Sequence, residues 1–380
     1  MPWENRTVEE QRTEFALEAQ HTDNFSELCR EYGITRATGY KWLKRFEDGG
    51  PLSDLSRRPH TSPNRTPEAI EEAILSLRRD NPGWGARRIH CILMGKGIQM
   101  PCVKTVNTIL NRNGMISEEE SLKHKPFTRF EMEHCNDLWQ TDFKGEFRVG
   151  DNNYCYPLNI LDDHSRFSIR ISCTANTKNV VIPAFSEAFR EFGLPLAILS
   201  DNGGQFAGFR RGCTQFEKWL MRLGVLPLHG RPMHPQTQGK IERFHRTMKN
   251  ELLKYSFFAN IDEANAALQR WRDKYNNERP HEALGMRCPA QVYVPSEREL
   301  PVKLPSIEYS GEYHVIKVNS WGYIRFAGHQ IYLSETMIDE YIEFRANPLG
   351  DSFFACFGGF KIAEFSTITG ELLNRNISRL

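Results

Sequence analysis

Four prolines, Pro51, Pro59, Pro63 and Pro67, fall within the stretch PLSDLSRRPHTSPNRTP at residues 51–67. Proline fixes φ and has no N–H to donate, so this stretch can extend neither a helix nor a sheet ladder. Whatever precedes it is expected to close a core of its own. The stretch itself should run as an extended strap able to follow a groove, with Arg57 and Arg58 along it.

Upstream, residues 8–20 are polar with a helical pattern, and NFSELCREYG and TRATGYKWLKRFEDGG read as two short helices separated by Gly33 and Ile34. Phe25, Leu28 and Tyr32 fit one buried face; Tyr40, Leu43 and Phe46 fit another. Thr35 suits an N-cap, and Gly49-Gly50 a stop. This is helix-turn-helix spacing, in which Arg36, Thr38 and Lys41 would face a major groove; a plain three-helix bundle fits the same pattern. Downstream of the strap, PEAIEEAILSLRRDNPG, WGARRIHCILMGKG and PCVKTVNTILNRNG give three more helices. Val103, Val106 and Leu110 mark the inner face of the last, leaving Lys104, Asn107 and Arg112 outward.

The formal net charge of +1 hides a segregation. Residues 78–112 hold seven basic side chains, Arg87 and Arg88 among them, against one acid, and residues 36–65 hold seven against three. Two basic helical modules joined by a basic strap form an electrostatic footprint for a long polyanion, double-stranded DNA, although either segment alone could be a solvated face.

After residue 134 the texture changes. LWQTDFKGEFRV, YCYPLNILDD and FSIRIS read as three strands joined by hairpins. They are followed by a helix through KNVVIPAFSEAFREFG, a strand LPLAILSD, a helix through TQFEKWLMRLG, a strand VLPLHG and a helix after RPMHPQTQG. That alternation is an α/β layer architecture, continued helically to about residue 293. From Ile307 short alternating strands with glycine-rich turns suggest a small β-barrel; residues 301–380 carry seven basic and nine acidic side chains, which suits contacts between subunits at least as well as phosphate binding. No apolar run reaches the ~18–20 residues of a membrane span, so a cytoplasmic, nucleoid-associated protein with no membrane partner is expected. The nine cysteines are scattered without a C-x-x-C pair, which predicts reduced thiols and no structural zinc.

Three carboxylates stand out. Asp142 interrupts an apolar strand, Asp201 closes another before Asn-Gly-Gly, and Glu242 sits in GKIERFHRTMK among Lys240, Arg243, Arg246 and Lys249. A strand-internal carboxylate needs a compensating partner, and a metal ion supplies one. Ile241, Phe244, Met248 and Leu252 form the buried stripe of the last helix. Glu242, Arg246 and Lys249 then share a ridge roughly 100° around from it. An acid that binds Mg²⁺ beside cations that hold phosphates accounts for this mixture.

TDF on the first strand, SDNGGQF after the fourth and HPQTQGKIERFHRT on the following helix closely resemble the integrase catalytic core of insertion-sequence transposases and retroviral integrases. The resemblance runs over about residues 135–292, and RDKYNNERPHEALGMRCPAQVY fits the transposase branch. It implies an RNase H-like fold with Asp142, Asp201 and Glu242 as a catalytic triad binding two Mg²⁺ ions per site, Mn²⁺ being a substitute. Asp142 would be the ligand common to both ions. Forty residues separate Asp201 from Glu242, slightly more than is usual, with the excess placed in AGFRRG. Helix-turn-helix modules stand where retroviral integrases have a zinc-binding domain, which favours a transposase.

The expected architecture is multidomain: a helix-turn-helix domain at 1–50, the basic linker at 51–66, and a second helix-turn-helix or winged-helix-like domain at 67–114. A connector at 115–134, an α/β RNase H-like core with helical extension at 135–293, and a small SH3-like β-barrel at 301–380 complete it. The expected function is binding of terminal inverted repeats with metal-dependent 3′-end cleavage and strand transfer, by a homo-oligomer of at least two protomers on DNA. A noncatalytic DNA-binding regulator and an RNase H-like nuclease or resolvase are the alternatives. Lys144 and Gln205 could position phosphates and His234 a water; Asp163 and Ser165 read as turn formers, and Trp139 as core.

Overall fold

The computed structural model describes residues 7–55, 65–116, 131–150, 153–177, 179–208, 212–230, 239–348 and 350–380. Arg57, Arg58 and His234 lie outside the described residues, as do most of the strap and most of the connector. The chain divides into two compact units, Met1–Arg65 and Thr66–Leu380.

The first unit is a three-helix body: α1 (Val8–Ala19), α2 (Phe25–Glu31) and α3 (Arg36–Glu47). Its core joins Phe15, Leu28, Cys29, Trp42 and Leu52. Trp42, rather than Tyr40, anchors α3; Tyr40 is 51% exposed and stacks on Phe25 with ring centroids 4.3 Å apart. The reason is steric: Gly39 offers no side chain, and a Cβ there would meet Cys29 Sγ at 2.7 Å, so α3 lies close against α2 and turns Trp42 inward. Thr35 caps α3 by accepting from the Thr38 amide at 3.2 Å. Thr35→Ala should lower the stability of this unit by about 1 kcal/mol, measured by thermal melting.

In the second unit, α4 (Glu68–Asp80), α5 (Ala86–Gly95) and α6 (Val103–Arg112) close over Ile74, Trp84, Ile89, Leu93, Val106, Ile109 and Leu110. No strand is assigned between residues 65 and 116, so the described part has no wing. A sheet follows, built from β1 (Leu138–Phe143), β2 (Phe147–Arg148), β3 (Tyr154–Asp162), β4 (Ser168–Thr174), β5 (Ala197–Ser200) and β6 (Leu226–His229). β3 is antiparallel to β4 on one side and to β1 and β2 on the other; β1 then runs parallel to β5, and β5 to β6. The predicted first strand is thus broken at residues 144–146 into β1 and β2, both on one edge of β3. α7 (Val181–Phe192) and α8 (Gln215–Arg222) cover one face, where Trp139, Phe185, Phe189, Phe206, Phe216 and Leu220 form the core. On the other face α9 (Gly239–Met248) and α10 (Ile261–Asn277) pack Phe244, Met248, Leu268 and Trp271 against Leu161 and Ile171. No helix among the described residues is long and apolar enough to cross a membrane.

β4 is an edge strand, and α10 covers that edge. Asn265 both donates to and accepts from the Cys173 backbone, Gln269 donates to Ile171 O, Arg272 to Ile169 O, and Asn276 bonds both Ser168 N and O. Positions 265, 269, 272 and 276 lie on one helical face, so one polar ridge satisfies an edge that would otherwise invite another strand. Cys155 on β3 and Cys173 on β4 are joined as a disulfide, contrary to the expectation of reduced thiols. The pairing of neighbouring strands brings them together, which their separation of 18 residues does not announce.

The C-terminal strands do not form the expected closed barrel. β7 (His314–Lys317), β10 (Tyr341–Ala346), β11 (Ser352–Phe357), β12 (Phe360–Ser366) and β13 (Leu372–Asn374) pair in the order β13-β12-β11-β10-β7, with β14 (Ser378–Arg379) also on β12. β8 (Tyr323–Phe326) and β9 (His329–Tyr332) form a separate hairpin whose Phe326 stacks on Phe344 at 4.4 Å. A stretch of only five residues separates β7 from β8, and the turn there carries the hairpin off the sheet rather than along its edge. This β-rich region rests on α8: Lys218 and Arg222 pair with Glu340 at 3.3 and 2.9 Å, and Ser334 donates to Cys213 O at 3.0 Å.

Candidate active site

The parallel pairing of β1 with β5 determines what meets at the sheet's end. Gln140 lies opposite Leu199; continuing that register by two residues brings Asp142 beside Asp201. Glu242 comes from the first turn of α9, whose buried stripe Ile241, Phe244 and Met248 matches the predicted one. The helix gives way to a π-helical turn at Lys249–Leu253, so the ridge assumed to run from Glu242 to Lys249 keeps regular phase only to Met248.

Asp142 senses the other two acids. Burial, then Asp201, then Glu242 push the Asp142 carboxyl up to about 7, against the pull of the Phe143 amide. Asp201 is half-buried and accepts from the Gly203 amide at 3.0 Å; Glu242 is exposed. A Cβ at Gly203 would stand 2.7 Å from Gln205 Nε2 and 3.0 Å from Asp201 Oδ1, so both side-chain ends lie against this turn. Gln205 is therefore beside the acid, as its sequence position suggested.

Two side chains that the sequence did not mark as site residues belong here. Asn159, opposite Asp142 on β3, has its amide oriented by donation to Pro157 O at 3.0 Å, and the same nitrogen meets His245 Nε2 at 3.0 Å. Nε2 must then accept, leaving the ring proton on Nδ1, 3.8 Å from Asp142 Oδ2. Burial and nearby Lys144 lower His245 to about 4, so the ring is neutral at pH 7. The signal available in the sequence was spacing: His245 falls three residues after Glu242, on a neighbouring face of the helix. Lys144 is itself half-buried, and its pKa is lowered by burial and by Lys249, which puts these two cations near each other, with Lys144 also near His245.

The donor set is three carboxylates of hard oxygen. Among the described residues no three His, Cys, Asp or Glu side chains stand together as a ready cage for one ion. An ion here would take one or two carboxylates and complete its shell with water or phosphate, which suits Mg²⁺ better than an all-protein site.

The remaining sequence candidates separate into two groups. Arg36 and Lys41 are exposed and Thr38 is half-exposed on α3; Lys104 and Asn107 are exposed on α6, as are Arg243, Arg246 and Lys249 near Glu242. Arg112 is ion-paired to Glu71. Arg87 lies 3.7 Å from Glu282. Arg88 donates to Pro280 O at 2.9 Å and burial lowers its pKa to about 10, so it ties α5 to the tail of the core. Lys240 is ion-paired to Asp163, which is fully buried; it is Asp162 that shapes the turn, accepting from the Ser165 amide at 2.8 Å and from its hydroxyl at 2.6 Å. Trp139 is core, its indole donating to Asn136 Oδ1 at 3.0 Å.

Two family models described as integrase core domain match residues 133–235 and 223–289, a helix-turn-helix domain model matches 11–60, and a homeodomain-like domain model matches 38–110. A putative transposase for insertion sequence element IS5376 of Geobacillus stearothermophilus is 25% identical over 321 residues, covering 82% of this chain and 76% of that protein. An insertion element IS476 protein of Xanthomonas euvesicatoria, described as an uncharacterized 39.2 kDa protein, is 24% identical over 264 residues, 66% of this chain and 75% of that one. The HTLV-2 integrase catalytic core domain, solved in complex with magnesium, aligns over 42% of this chain and 97% of its own with 21% identity and a TM-score of 0.33, too low to add weight. The chain carries an integrase core with helix-turn-helix modules before it. It is a relative of the insertion-sequence transposases, with a core of the retroviral-integrase type.

Proposed function

We propose that this transposase relative binds the terminal inverted repeats of its element and, with divalent metal, cleaves the 3′ ends and transfers them into target DNA. The observation that carries this is the convergence of Asp142 and Asp201 at one end of the sheet, where Asp201 and Glu242 both push the Asp142 carboxyl up. Two divalent ions, when bound, supply activation of the attacking oxygen and stabilisation of the leaving one. Asp142, Asp201 and Glu242 would hold these ions, Asp142 being the acid that both others push up. Lys144 and Lys249 hold the phosphate whose bonds exchange. His245, neutral and fixed by Asn159, keeps the carboxylate of Asp142 directed rather than neutralising it. Arg36, Thr38, Lys41, Lys104 and Asn107 face the end sequence, and at least two protomers hold two ends together. Mn²⁺ substitutes for Mg²⁺, and the chain acts at the bacterial nucleoid.

The test is strand transfer by purified protein on labelled duplexes cut from the DNA flanking its gene, in Mg²⁺ and in EDTA, beside Glu242→Gln. Joined products that need metal and vanish in the variant are expected. Sequence-specific binding without cleavage would instead favour a regulator, and cleavage without joining a nuclease.

A further inference from the structure

The fully buried carboxylate of Asp163 is held from three directions. Gln140 Nε2 donates to Oδ1 at 2.8 Å, the Met132 amide to Oδ2 at 2.9 Å, and the Lys240 ammonium pairs with Oδ2 while also donating to Asp163 O at 3.1 Å. The Gln140 side chain then reaches on: its Oε1 accepts from the Ile241 amide at 3.2 Å. That amide belongs to the first turn of α9, whose N–H groups have no partner within the helix and need one from elsewhere.

The two ends of this network fall beside the acids. Gln140 precedes Asp142 by two residues, on the same face of β1, and Lys240 and Ile241 are the two residues before Glu242. We propose that Gln140, Asp163 and Lys240 are positioning residues which set Glu242 against Asp142, and that Lys240 belongs to this lock and not to the DNA-contacting cations. Lys240 has only 14% of its side chain exposed and Asp163 none. Breaking a buried pair leaves a charge uncompensated, so Lys240 is held to Asp163 and not free to follow a phosphate. A cluster that served stability alone could have linked any two elements. This one joins the strand of one acid to the helix start of another.

The proposal rests on the metal-dependent reading of the three acids, and its test separates the two. Mn²⁺ binding is titrated calorimetrically on full-length parent, Lys240→Met and Gln140→Ala, alongside DNA-end affinity as a function of salt and strand transfer. Gln140→Ala keeps the Asp163–Lys240 pair and removes the bridge to Ile241, so it remains informative if Lys240→Met fails to fold. Both variants should raise the Mn²⁺ midpoint about 10- to 100-fold, the range for groups that orient metal ligands, with DNA affinity and its salt slope unchanged. Lys240→Arg should recover part of the loss. A Lys240→Met protein with parental Mn²⁺ binding and a salt slope reduced by about one would make Lys240 a phosphate contact and overturn the lock. Lower melting temperature with parental Mn²⁺ binding would overturn it too. A parent that binds no Mn²⁺ removes the underlying reading as well.

Discussion

In EDTA at pH 8, Asp142→Asn should melt above the parent protein, while strand transfer in Mg²⁺ disappears. The Asp142 carboxyl is raised from 3.8 to about 7 by burial and by Asp201 and Glu242. An acid whose folded pKa is raised holds its proton more tightly folded than unfolded. Between pH 4 and 7 the unfolded chain therefore loses the proton first, and stability falls as pH rises through that window, then levels off above 7. The ceiling on this contribution is about 4 kcal/mol at pH 8. Asparagine carries no charge, so the variant should lack the fall and regain a large part of it. On the metal-holding role proposed for Asp142, its loss should cost several kcal/mol of transition-state stabilisation, about a thousandfold or more in rate. Melting curves at pH 4.5 and pH 8 with parallel transfer assays check both halves. A variant no more stable than the parent at pH 8 would show that the acids are not mutually repelling in solution.

The second large effect lies away from the acids. Asn276→Leu should cost about 3 kcal/mol or more, because two backbone groups of Ser168 lose their partners in a buried site at roughly 1–3 kcal/mol each. Asn276 is 2% exposed and Ser168 fully buried, so water cannot take over these bonds. Leucine has nearly the same volume, so the loss reports hydrogen bonding rather than a cavity. Denaturant unfolding measures it. Hydrogen exchange should show β4 amides opening in the variant while β5 stays protected. Exposure of the β4 edge should also make the variant prone to associate at high concentration.

Much of this was legible in the chain. Helices α2–α6 follow apolar periodicity, and their ends follow Thr35 and the glycines; one local signal suffices because each helix closes its hydrogen bonds within itself. The buried stripe of α9 was readable for the same reason. Asp142, Asp201 and Glu242 could be singled out because an acid in an apolar strand, one before Asn-Gly-Gly and one amid cations each depart from their surroundings. Their proximity was not legible without the parallel β1–β5 register, which long-range pairing alone decides.

Positions that read alike in the sequence separate in the fold. Lys240, Arg88 and Arg246 look alike in the sequence, but only tertiary packing pairs Lys240 with a buried aspartate and Arg88 with a carbonyl, and leaves Arg246 exposed. Asp162 and Asp163 are adjacent and chemically identical, and the end of β3 between them sends them to different tasks. The Cys155–Cys173 pairing and the open C-terminal sheet likewise depend on which strands become neighbours. Local periodicity is written in side chains a few residues apart and survives without context. The partner of a buried charge or a strand edge depends on contacts between residues far apart in the chain, and those exist only once the fold has formed.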